Sequence, residues 1–147
     1  DRLYVSGHSA GGHLTAMMMA AVWPAFDKQL PKDLFKGGLA ISGIYDMRPM
    51  LHVDWLNGDL RLDEEAAIKV SPAFLPPAAR ASVMTCVGGD ESSEFLRQNA
   101  LLGERWRGAL VDDIPMPGTH HFSVLDGLGK QSSALFAGAR RLMKLDR

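Results

Sequence analysis

The sequence predicts an α/β fold: a mostly parallel sheet flanked by helices. Three observations carry this. Short apolar runs alternate with stretches of helical periodicity. Each run stops at glycine or another turn former. The connections between successive runs are long enough to hold a helix, as parallel pairing requires. At 147 residues the chain can bury one real core, so we read residues 1–147 as a single domain.

The elements follow in order. Leu3 to Ser6 is the first apolar run and ends at Gly7. Ala10 to Val22 is rich in Ala, Leu and Met and reads as a helix, apolar nearly all round and therefore expected to be buried. Trp23-Pro24 ends it, because proline disfavours helix in the residue before it. Residues 24–36 are polar and read as a surface connection. Gly38 to Ser42 is the second strand. Residues 47–62 are irregular, with Asn57-Gly58 as a turn signal, and Leu62 to Val70 has weak helical character. Ser71-Pro72 and Pro76-Pro77 mark a loop before the third strand, Ser82 to Val87. Phe95, Asn99, Leu102 and Trp106 share one face of a helix over about Ser93 to Arg107. Ala109 to Ile114 is a poorer strand, and a last helix runs from about Lys130 to Lys144. In such sheets active groups collect past the carboxyl ends of the strands.

Bulk chemistry narrows the function classes. Sixteen basic residues face seventeen acidic ones, for a net charge of −1. Nothing in that balance points to nucleic acid or an anionic membrane as a partner. No stretch has the length of a membrane span, and no signal peptide is visible, so a cytoplasmic location is expected. The lone Cys86 lies inside an apolar strand and reads as a small core residue. Zinc-ligand spacings such as H-E-x-x-H are missing, so neither a metal nor another cofactor is expected.

The strongest motif is Gly7-His8-Ser9-Ala10-Gly11, a G-x-S-x-G between a strand and a helix. Its physical sense is steric. A strained turn holds the Ser9 hydroxyl clear of the backbone, and side chains at Gly7 and Gly11 are expected to collide with the neighbouring strand and helix. The same turn aims the Ala10 N–H at the position of a developing oxyanion. A serine hydroxyl needs a base, and the base needs an orienting carboxylate. Asp90 follows the third strand at Gly88-Gly89, and His121 follows the fourth. Glu91 and Glu94 are expected to sit on the helix beyond, which favours Asp90. His120 competes with His121. His8 and His13 read as satisfied structural histidines, and His52 as a surface residue. Tyr45, Trp55 and Phe122 are candidate substrate-lining aromatics, each with core packing as the alternative.

The run Gly7-His8-Ser9-Ala10-Gly11-Gly12-His13-Leu14 resembles the nucleophile elbow of α/β-hydrolases in the esterase/lipase and arylformamidase (kynurenine formamidase)-like branch. Ile41-Ser42-Gly43-Ile44-Tyr45-Asp46 resembles the segment after the next strand. Gly88-Gly89-Asp90-Glu91-Ser92-Ser93-Glu94-Phe95 is similar to the acid loop, and His121-Phe122 to the pair holding the catalytic histidine. The resemblance implies a triad of Ser9, Asp90 and His121, with an acyl-enzyme formed from small carboxylic esters or aryl formamides such as N-formylkynurenine. It also implies an upstream His-Gly-Gly segment and further strands that have no counterpart here, so a truncated hydrolase domain is expected. The first strand would then be an open edge, and pairing into a homodimer through Leu3–Ser6 is the expectation. A catalytically inactive binding or assembly module is the alternative function.

Overall fold

The computed structural model describes residues 2–77 and 82–145. Four strands form one sheet: β1 (Tyr4–His8), β2 (Gly37–Ile41), β3 (Ser82–Gly88) and β4 (Leu110–Met116). They lie side by side in the order β1-β2-β3-β4, and all three pairings are parallel. The architecture is α/β, with helices on both faces of this parallel sheet.

The register explains where the functional groups gather. His8 pairs with Ile41, Ile41 with Cys86, and Cys86 with Ile114. One row of residues therefore crosses the sheet near its carboxyl edge. β1 and β2 end at that row and β3 and β4 two residues beyond it, so the loops after all four strands leave on the same side.

Strand residues alternate between two cores, as a sheet covered on both faces requires. Ala40 and Val83 pack with Ala16 and Met19 of helix α1 (Ala10–Ala20) and with Leu102 of α5 (Ser93–Arg105). Leu39, Ile41, Met84, Cys86 and Ile114 pack on the other face with Leu135 and Leu142 of α6 (Ala134–Leu142). Cys86 is buried in this second core. Burial pushes its thiol up to about 12, so it stays protonated at neutral pH.

Helix α1 is less enclosed than its composition suggests. Gly12, Thr15, Ala16 and Met19 are buried, but Leu14 is 54% exposed. The reason is position: α1 packs on β1 and β2, at the end of the sheet. Trp23-Pro24 does not merely stop α1. It opens a short helix, α2 (Trp23–Phe26), with proline in the first turn, where its missing N–H costs nothing. The segment read as irregular contains a 3₁₀ turn (Arg48–His52) and a helix, α3 (Asp54–Leu60). A further short helix, α4 (Glu64–Lys69), is capped by the Asp63 carboxylate accepting from the Ala66 N–H. No helix among the described residues is long and apolar enough to cross a membrane.

Candidate active site

Ser9 sits between β1 and α1 with φ 57° and ψ −116°. That conformation costs a non-glycine residue on the order of 1–3 kcal/mol. Its surroundings hold it there. The Ser9 N–H donates to the Ile41 carbonyl at 2.9 Å, and its carbonyl accepts from the His13 N–H at 3.1 Å. The glycines around it do separate jobs. A Cβ on Gly7 would lie 2.3 Å from the Gly11 carbonyl oxygen, so only glycine fits. A Cβ on Gly12 would lie 2.6 Å from the Ile41 oxygen, which sets how closely α1 approaches β2. Gly11 is different from expectation: a Cβ there meets nothing within 4 Å. Its neighbour Gly12 carries the steric requirement because it faces the β2 exit.

The Ser9 hydroxyl lies 3.0 Å from Nε2 of His121. His121 comes from the loop after β4 and is half-buried. On its other side Nδ1 lies 2.7 Å from Oε2 of Glu91. An ionised carboxylate only accepts, so Nδ1 carries the proton in this arrangement. The neutral ring then has a bare Nε2, which accepts from the Ser9 hydroxyl. His121 is fixed further by its neighbours. His8 stacks at 4.5 Å between ring centroids, Phe95 at 4.4 Å, and Phe122 meets it edge-on at 5.3 Å. His8 Nε2 also lies 2.7 Å from the His121 carbonyl oxygen, which can only accept, so His8 donates.

The carboxylate is the main correction to the sequence reading. Asp90 is exposed, while Glu91 is buried and bonded to His121. The cause is a tight turn from Gly88 to Glu91, closed by the Glu91 N–H donating to the Gly88 carbonyl at 3.1 Å. Asp90 lies at the tip of this turn, and the side chain that re-enters over the strand end is that of Glu91. Helix α5 begins only at Ser93, with Ser92 as its N-cap, so Glu91 is still in the loop. The Ser92-Ser93 pair was the signal available in the sequence.

Inside, Glu91 is fully engaged. Its Oε1 accepts from the Ser42 hydroxyl at 2.5 Å and from the Gly88 N–H at 2.8 Å. With His121 on Oε2, both carboxylate oxygens have donors although the side chain is sealed from solvent.

Ala10 is the first residue of α1, so its N–H has no carbonyl one turn earlier to bond within the helix. It follows Ser9 directly and is exposed. His120, the competitor of His121, is also exposed and is tied up locally: its N–H donates to the Ser123 hydroxyl, and its Nδ1 accepts from the Phe122 and Ser123 N–H groups.

The three aromatic candidates separate. Phe122 is 73% exposed and packs edge-on against the His121 ring. Tyr45 is fully buried and cannot line a substrate site. It belongs to the core with Val83 and Leu102, and its hydroxyl has no hydrogen-bond partner among the described residues. Burial raises its pKa. Its N–H is held by the Gln98 side chain, which also ties down the Asp46 N–H and carbonyl. Trp55 is 78% exposed on α3 and has no part in the ring assembly around His121 among the described residues. His13, expected to be structurally satisfied, bonds the Val70 carbonyl at 2.8 Å. Phe95 and Ser42 are the site residues that sequence reasoning missed. Phe95 reads in the sequence as one of four residues sharing a helix face, and Ser42 as the end of a strand.

The chain is similar in sequence and in fold to known proteins. Kynurenine formamidases of Salmo salar and Danio rerio are each 34% identical to the chain, over 136 and 133 residues. The matches cover 86% of this chain and 44% of each relative, so the chain spans less than half of their length. Over most of its length the chain is similar to the kynurenine formamidase-like branch of the α/β-hydrolases. A solved structure from Silicibacter sp. TM1040, provisionally named a thioesterase, superposes with a TM-score of 0.80 at 34% identity. That match takes in 93% of this chain and 50% of the other. No protein-family model matches the chain.

Proposed function

We propose that this chain carries the catalytic residues of a serine hydrolase that cleaves small carboxylic esters or aryl formamides. The observation that supports it most directly is the unbroken relay Ser9–His121–Glu91, with contacts of 3.0 and 2.7 Å, built on a strained strand-to-helix turn. The relatives' name adds the substrate class: N-formylkynurenine or a related aryl formamide.

In this mechanism Ser9 Oγ attacks the carbonyl carbon while His121 Nε2 takes its proton. Glu91 holds Nδ1–H and stabilises the imidazolium that forms. The Ala10 N–H, at the positive end of α1, faces the oxyanion. As the C–N or C–O bond breaks, His121 returns the proton to the departing amine or alcohol. Water then attacks the acyl-enzyme with His121 as base, releasing the acid and restoring Ser9. Losing one of several oxyanion donors costs about 100- to 1000-fold in rate.

The test compares kcat/KM for a p-nitrophenyl ester and for N-formylkynurenine, with the Ser9→Ala variant beside each. Ser9-dependent turnover of either supports the proposal, and the ratio decides the substrate class. Turnover unchanged in Ser9→Ala rejects it.

A further inference from the structure

We infer that Ser42 is a positioning residue that locks the triad carboxylate and registers it against the nucleophile. This rests on reading Ser9, His121 and Glu91 as one catalytic unit.

The argument begins with the backbone. Just past β1, the Ser9 N–H continues the ladder by donating to Ile41; just past β2, the Ser42 N–H does the same, donating to Cys86 at 2.7 Å. Both serines have positive φ, 57° and 48°. Such a conformation is unfavourable for serine and persists only where its surroundings impose it. At Ser9 it presents the nucleophile. At Ser42 it accompanies a buried hydroxyl 2.5 Å from Glu91 Oε1.

Residues 41 to 43 thus touch both ends of the relay. The Ile41 carbonyl holds the Ser9 N–H, and Gly43 and Ile41 wall in Gly12 of the elbow. Ser42 holds the acid. The carboxylate has two oxygens and three donors, and Ser42 supplies one of the two on Oε1. Without it, Oε1 keeps only the Gly88 N–H. The carboxylate can then turn about its last torsion, and the Nδ1–H of His121 loses a fixed acceptor.

The effect should appear in kcat, because Ser42 touches Glu91 and not the substrate position. Hydrogen bonds to buried charged groups are worth about 1.5–3 kcal/mol, equivalent to roughly 10- to 100-fold in rate. The experiment measures Ser42→Ala, Ser42→Cys and wild type in the full chain, by ester kinetics and by proton NMR of the His121 Nδ1–H. In wild type this proton, held by a buried carboxylate, should give a resolved far-downfield resonance. Ser42→Ala should lower kcat 10- to 100-fold with KM unchanged, and the resonance should broaden or vanish. Ser42→Cys, a weaker donor of similar shape, should fall between. Alanine and serine share the cost of positive φ. Should Ser42→Ala fail to fold, Ser42→Gly, which relaxes φ and lacks the hydroxyl, carries the same test. An unaltered resonance with wild-type kcat overturns the inference. If wild type shows no Ser9-dependent turnover, the hydrolase reading fails, and the resonance alone still decides whether Ser42 holds Glu91.

Discussion

Replacing Glu91 with glutamine changes one oxygen to an NH₂ group and leaves the volume nearly constant. The consequences follow from the donor count. Two donors, the Ser42 hydroxyl and the Gly88 N–H, converge on one carboxylate oxygen. In Glu91→Gln the amide oxygen must stay there, or two donors would face a third. The NH₂ then faces His121 Nδ1, where the native oxygen accepts. Two donors cannot share that 2.7 Å contact, so His121 must shift its proton to Nε2. The ring in that tautomer has nothing to accept the Ser9 proton with. Acid-to-amide changes that impose the wrong tautomer on a triad histidine lower kcat about 10⁴-fold, or roughly 5 kcal/mol of transition-state stabilisation. Asp90→Asn, at the exposed tip of the same turn, should change kcat by less than about 2-fold. The assay is Ser9-dependent ester hydrolysis, with thermal unfolding to show that both variants fold. A Glu91→Gln variant of near wild-type activity, or an inactive Asp90→Asn, would refute the assignment of the acid.

Three other outcomes are expected. Gly7→Ala should unfold or strongly destabilise the chain, because its Cβ would sit 2.3 Å from the Gly11 oxygen, whereas Gly11→Ala should be tolerated; urea midpoints of the two variants distinguish them. The hydrogen bonds from Arg48 hold the Asp46 carboxylate below its ordinary range, so the unfolded chain takes up that proton first as pH falls. The stability this pair contributes is present above about pH 4, the ordinary value for an unfolded aspartate, and is lost below it; Asp46→Asn should flatten that part of a stability–pH curve. Among the described residues β1 pairs only with β2, and Ser6 on it is exposed, so we expect self-association through this edge; light scattering that gives a monomer at high concentration would count against it.

Much of the layout was readable because it depends on local pattern. Strand, glycine-flanked serine and helix come in an order that only one turn geometry accommodates. Four apolar runs with helix-length connections restrict the sheet to parallel pairing. His121 and the acid loop were located to within a residue because both follow strand ends. The acid itself was misassigned because Glu91 was expected on the helix, whereas a tight turn closed by the Glu91 N–H on the Gly88 carbonyl keeps it in the loop and brings its side chain back over the strand end, and such a turn is set by contacts rather than by composition. Tyr45 was misread because an aromatic past a strand end is equally suited to a site or a core; Gln98, a polar residue on a distant helix, draws that loop inward. Gly12 hid behind Gly11 because its constraint comes from the backbone of β2's exit, a contact across the fold. Helix α3 is short and contains Asn57-Gly58, so its pattern resembled a turn.

The most direct test of the central claim is to label the chain with a fluorophosphonate and map the adduct by peptide mass spectrometry, with Ser9→Ala as control. The account predicts a single adduct on Ser9, absent from the variant and formed far more slowly in Glu91→Gln. An adduct elsewhere, or none on Ser9 in the folded chain, would contradict the claim that Ser9, His121 and Glu91 form a working relay here.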